Sequence, residues 1–170
     1  MKWIAFAIVA GSLAVAGYAQ WPLAAMPSDA RADMVTVLKS ERKLILLKDG
    51  FVIREYRVAL GHNPVGAKTQ KGDGRTPEGT YVIDYRKPDS SFHRALHISY
   101  PNAADRAQAG ARGVDPGGLI MIHGIRNGLG IIGRWHRLID WTNGCIALTN
   151  AEIEQVWDAV PDGTPVEIRA

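Results

Sequence analysis

Between residues 34 and 60 the chain alternates short runs of Val, Ile and Leu with polar turns, and Asp49-Gly50 separates two of those runs. A two-residue hairpin needs positive φ at both central positions, which Asp tolerates and Gly prefers, so the dipeptide commits this region to antiparallel pairing. Strands are predicted at 35–38, 44–47 and 51–60, and the same composition predicts others at 81–85, 96–100, 119–123 and 166–168. Two stretches rich in Pro, Gly, Ala and charge, 88–94 and 101–117, read as long loops or a lid. The clearest helix follows Thr149-Asn150-Ala151-Glu152, which has capping-box spacing. Ile153, Val156, Trp157 and Val160 then fall on one helix face, and Pro161-Asp162-Gly163 ends it. The expected fold class is mainly β with few helices.

At 170 residues, the chain is long enough for one domain with a real core and too short for two of ordinary size. Its 20 Lys and Arg against 17 Asp and Glu leave a charge of +3, and no basic block of the nucleic-acid type occurs. The start is different in character. Met1-Lys2 precedes an apolar run from residue 3 to 16, followed by the small-residue patterns Ala14-Val15-Ala16 and Gly17-Tyr18-Ala19. A positive start, an apolar core and an A-x-A-like end describe an export signal, with cleavage after Ala19 favoured over retention as a membrane anchor. Residues 1–19 are therefore expected to be a signal or anchor, 20–33 a linker and 34–169 the folded domain. The expected location is the periplasm or cell envelope.

Export changes the meaning of Cys145, the sole cysteine. It excludes a disulfide framework within the chain, and a lone thiol in an oxidising compartment needs either burial or a task. Three constellations carry candidate chemistry. The segment 61–69 approaches a phosphate loop, but Ala67 intervenes between Gly66 and Lys68 and no helix pattern follows, so it is rejected. His93 and His97 share a face, yet Arg94-Ala95-Leu96 lacks a zincin glutamate, and a structural or substrate-contacting role is the better reading. The third is Ile122-His123-Gly124 together with Trp141-Thr142-Asn143-Gly144-Cys145-Ile146. There an imidazole at a strand end meets a thiol at a glycine turn, where backbone N–H groups can receive negative charge. On these residues alone, a buried inert cysteine competes with a nucleophile.

The order I-H-G, a glycine-rich spacer, then T-N-G-C-I-A-L resembles the L,D-transpeptidase catalytic domain (YkuD-type). Gly72-Asp73-Gly74-Arg75-Thr76-Pro77-Glu78-Gly79-Thr80-Tyr81 is similar to that family's T-P-x-G-x-[FY] segment, and Pro161-Asp162-Gly163-Thr164-Pro165-Val166-Glu167-Ile168 fits its end. The likeness spans roughly 34–169.

It implies a β-sandwich-like fold acting on peptidoglycan stem peptides, with no metal or organic cofactor. Cys145 would attack the carbonyl between the third residue and terminal D-alanine, and His123 would move the proton, its ring oriented by a carbonyl near Gly124. Gly144 and Cys145 would supply the oxyanion turn. An amine acceptor then gives a 3-3 cross-link or attachment of another amine, such as an envelope lipoprotein lysine, and water gives a hydrolase that trims stem peptides or releases a peptidoglycan-linked lipoprotein; a non-catalytic wall-binding module is the reading from another class. His136, Asn143, Arg134 and Trp141 are the candidate substrate contacts, His136 being also an alternative base. The chain departs from the family pattern in carrying Asn143 where many members have a second His. It also has Ala147 at a position often held by Arg or Asn, which opens the question whether Arg134, Arg137 or Arg94 replaces that cation.

Overall fold

The computed structural model describes residues 17–20 and 22–170. The predicted signal or anchor therefore lies almost wholly outside the described residues. Among the described residues no helix is long and apolar enough to cross a membrane.

The N-terminal strands form as their alternation dictates. β1 (Met34–Leu38) and β2 (Lys43–Lys48) bury every second residue, Val35 and Val37 from one, Leu44 and Leu46 from the other. Asp49 (φ 51°) and Gly50 (φ 80°) both occupy the left-handed region between the paired residues Lys48 and Phe51, so the hairpin into β3 (Phe51–Arg57) is the two-residue kind. β4 (Gly79–Ser90), β5 (His93–Ile98), β6 (Met121–His123), β7 (Ile146–Ala147) and β8 (Pro165–Arg169) complete the set. The strands are ordered β3-β2-β1-β8-β4-β5-β6-β7. β4 serves both halves, pairing with β8 through Gly79 to Val82 and with β5 from Ile83 onward. The fold is mainly β with few helices, as expected.

Three expectations are corrected. The third strand stops at Arg57 rather than Leu60, because the chain there changes partner: Ala59 bridges Ala147 and Gly61 bridges Thr142. The two ends of the strand order thus meet. Residues 88–94 are not a loop but the tip of the long β4–β5 hairpin. Pro88, which has no N–H to give, sits where the register shifts between Lys87 and Ser90, on the part of β4 whose other edge is unpaired. Residues 101–117 contain helix α1 (Ala103–Ala111), opened by a reciprocal capping box between Asn102 and Asp105.

Helix α2 (Asn150–Ala159) starts at the predicted cap, with Thr149 Oγ1 accepting from Glu152 N at 3.3 Å and Glu152 Oε2 accepting from Thr149 N at 3.0 Å. Its buried Ile153, Val156 and Ala159 join Val35, Leu46, Ile83, Leu96, Ile122, Ile146 and Val166 in one continuous core. Each large aliphatic side chain so buried contributes about 1.5–3 kcal/mol. The segment preceding β1 is strapped to this body: Leu23 and Met26 pack on the core, and Arg54 Nη2 donates to the Ala25 carbonyl at 2.8 Å.

Candidate active site

Chain order alone separates His123 from Cys145, but the sheet brings them to one edge. β6 and β7 run parallel, with Ile122 opposite Ile146 and His123 opposite Ala147. Cys145 directly precedes β7 and so stands on the same side as His123, two residues back along the neighbouring strand. Both side chains line a cleft of about 920 Å³, whose walls include Phe92, Leu119, Ile132, Trp135 and Trp141.

The turn before Cys145 can be built only with glycine. Gly144 has φ +124°, and a Cβ there would stand 2.5 Å from the Arg75 carbonyl oxygen. Its N–H donates to Thr142 Oγ1 at 3.1 Å, while that hydroxyl donates to the Cys145 carbonyl at 2.8 Å. The loop behind the turn is fixed by Asp73, which accepts from Lys68 Nζ (2.8 Å) and from the N–H groups of Thr69, Gln70 and Arg75. Burial pushes the Asp73 carboxyl up, but these donors outweigh it and hold the group at about 2.

His123 is held from several sides. Its Nδ1 lies 2.6 Å from the Gly124 carbonyl oxygen. A carbonyl only accepts, so Nδ1 carries the proton and the lone pair is on Nε2. Phe92 packs against the ring at 4.6 Å between centroids, and Trp141 meets it edge-on at 5.8 Å. Gly124 leaves room for this backbone: a Cβ would approach Asn150 Oδ1 to 2.9 Å and the Phe92 carbonyl oxygen to 3.0 Å. Asn150, the first residue of α2, accepts from the Ile125 N–H at 2.9 Å and so ties the helix to the loop after His123. Burial lowers the His123 pKa, with the Gly124 carbonyl opposing, and burial raises that of the Cys145 thiol. Both effects favour a neutral imidazole and a neutral thiol. In this state Sγ is 3.6 Å from the Leu119 carbonyl oxygen.

The remaining candidates separate. His136 belongs to a 3-10 helix, Gly130–Leu138, kinked at Gly133, and is buried in the cleft wall. Its Nδ1 accepts from Trp141 Nε1 at 3.4 Å, and its Nε2 is buried without a partner among the described residues. Burial, with help from the Arg137 guanidinium, lowers its pKa to about 4. Trp141 and Asn143 also line the cleft, Asn143 exposed at its lip. Arg134 does not: the kink at Gly133 turns it to a smaller pocket shared with Ala19, Gln20 and Glu152. Arg137 pairs with buried Glu152, and Arg94 lies over the Trp157 ring beside Glu154. None of the three arginines considered from sequence lines the cleft. His93 binds Glu154 and His97 binds Asp84, and among the described residues no cluster of three or more metal-ligating side chains occurs.

Sequence reasoning overlooked Phe92, Lys87 and Arg126, all of which line the cleft. The first two lie in or beside the stretch read as loop; a signal for Phe92 was its place as the lone aromatic in a polar segment, 88–94.

A thiol at a glycine turn and an imidazole with a fixed tautomer, lining one cleft at the edge of the sheet, are the groups that cysteine acyl-transfer chemistry would use. The family model for the YkuD-type L,D-transpeptidase catalytic domain matches residues 32–168, and the chain belongs to that family. It is 31% identical over 132 residues to an Escherichia coli K12 protein named "Putative L,D-transpeptidase YafK", the match covering 74% of this chain and 46% of that one. Among solved structures it is similar to the helical cell shape determining protein Pgp2 of Campylobacter jejuni (K307A mutant), with 28% identity and a TM-score of 0.64 over 83% of this chain and 48% of Pgp2. Bdellovibrio bacteriovorus Bd1075 is a further similar structure, at 26% identity and TM-score 0.55 over 82% of this chain and 48% of that one. The chain spans about half the length of these relatives.

Proposed function

We propose that the protein is a cysteine-dependent L,D-transpeptidase of peptidoglycan stem peptides, working at the cell envelope. The observation that carries the reading is the parallel β6–β7 ladder, which puts Cys145 and a tautomer-fixed His123 on one wall of the cleft. A tetrapeptide donor lies in the cleft with the carbonyl before its terminal D-alanine over Sγ. His123 Nε2 takes the thiol proton as Sγ adds to that carbonyl, so no free thiolate need accumulate. The oxyanion is received at the turn by the Cys145 N–H, since the Gly144 N–H is engaged by Thr142. The C–N bond breaks, His123 returns the proton to the leaving D-alanine amine, and a thioester remains. An acceptor amine, giving up its proton to His123, attacks the thioester; a new amide forms and the thiol is restored. Membership of the family and the link of its C. jejuni relative to cell shape both support a substrate in the wall.

The test is incubation of the full chain with tetrapeptide muropeptides, followed by mass spectrometry of the products, alongside Cys145→Ala. A Cys145-dependent 3-3 dimer with loss of D-alanine is the expected result. Tripeptide without dimer would make water the acceptor, and turnover unchanged in Cys145→Ala would overturn the reading.

A further inference from the structure

The cleft is walled mainly by apolar side chains, and among the described residues its formal charges are two cations, Lys87 and Arg126. No carboxylate among the described residues lines it. Their placement follows from the sheet. Lys87 pairs with Ala95, Ala95 with His123, and His123 with Ala147, so the four occupy one row across β4, β5, β6 and β7. Residues directly opposite share a face, and two strand spacings separate Lys87 from His123 by about 10 Å. Ala95 between them contributes only a methyl group to the cleft lining. Arg126, in the loop after His123, lines the same cleft. That loop is fastened to the hairpin tip by Asn127, whose N–H donates to the Ser91 carbonyl at 2.9 Å and whose Nδ2 donates to the Ser90 carbonyl at 3.0 Å. Arg126 is exposed, and its side chain makes no ion pair or hydrogen bond among the described residues. Among the described residues Lys87 pairs with Asp89, 3.3 Å away and itself 81% exposed, a solvated pair of little strength.

A long chain molecule bound with its scissile carbonyl at Cys145 and its body along the row would meet both cations. We propose that Lys87 and Arg126 recognise carboxylates of an acidic peptide donor. The inference rests on the stem-peptide reading above and adds the chemical class the cleft selects: a donor with free side-chain or α-carboxylates rather than its amidated counterpart. Arg126 offers a planar fork suited to a carboxylate, and Lys87 a point charge on a flexible stem. Ala95 and Ala147, the aliphatic members of the row, carry no charge.

The experiment measures binding, by titration calorimetry, of synthetic tetrapeptide to the full chain carrying Cys145→Ala. Two peptides are used, one with free carboxylates and one amidated at all carboxylates but the C-terminal one. Lys87→Gln and Arg126→Gln are each expected to weaken the free-carboxylate peptide about fivefold, and together more than tenfold. The amidated peptide is expected to bind more weakly to the parent and to be indifferent to both substitutions. Equal affinity for the two peptides, an unchanged Kd in the double variant, an equal loss on both, or no binding of either peptide would overturn the inference. Turnover by the native chain, followed separately, shows whether a failure belongs to carboxylate recognition or to the catalytic reading.

Discussion

His123 Nδ1 lies 2.6 Å from the carbonyl oxygen of its own neighbour, Gly124. No carboxylate is needed to choose the tautomer, because a backbone carbonyl accepts and never donates. The ring then presents a bare Nε2 and can turn cationic during a reaction while still donating from Nδ1. Everything proposed for Cys145 depends on that arrangement.

Because burial lowers the His123 pKa from 6.5 and raises the Cys145 pKa from 9.0, the thiol stays protonated at neutral pH. Alkylation of Cys145 by iodoacetamide should therefore be slow at pH 6 and accelerate only as pH passes 9. The acid limb of kcat/KM should fall below pH 6.5, since the neutral imidazole persists there. Fast alkylation at pH 6 would instead reveal a thiolate–imidazolium pair.

His136 should make stability depend on pH. Its folded pKa of about 4 lies below the unfolded 6.5, so the unfolded chain binds one more proton between those values. Stability is fully present above pH 6.5 and declines as pH falls toward 4, by about 3 kcal/mol at most. In His136→Gln, chemical denaturation should show that part of the slope removed.

Gly144→Ala should be costly. The new Cβ would meet the Arg75 carbonyl at 2.5 Å in a backbone with φ +124°, a loss of roughly 2–4 kcal/mol in urea unfolding. A variant as stable as the parent would mean that the turn before Cys145 is looser than described.

Asp73→Asn should destabilise the chain by about 3 kcal/mol at pH 7, because Lys68, with a side chain only 3% exposed, loses its counter-charge. Adding Lys68→Met should recover part of that loss. In the parent, the contribution of Asp73 is present above pH 3.8 and is lost as pH falls toward 2.

The parts of the fold legible in the sequence were those governed by local rules. Asp49-Gly50 specified a hairpin, and Thr149 with Glu152 specified a helix start, because each depends on backbone chemistry within four residues. The β4–β5 tip was hidden by Pro88, whose effect is read correctly only when the edge it occupies is known to be unpaired. Helix α1 was hidden because its cap is Asn102 with Asp105 and the helix buries little beyond Ala109. The thiol, the imidazole and the glycine turn stood out as motifs. Lys87 did not, since its place in the row with His123 is a matter of register across three strands. Arg134 misled for the opposite reason: nearness to His136 in the chain is undone by the kink at Gly133.

The central claim is a thioester on Cys145. Intact-protein mass spectrometry of the full chain, acid-quenched within seconds of mixing with tetrapeptide, tests it most directly. The account predicts an adduct equal to the tetrapeptide less D-alanine, mapped to Cys145, discharged by hydroxylamine and absent from Cys145→Ala. Release of D-alanine with no such adduct, or with the same adduct in Cys145→Ala, would contradict it.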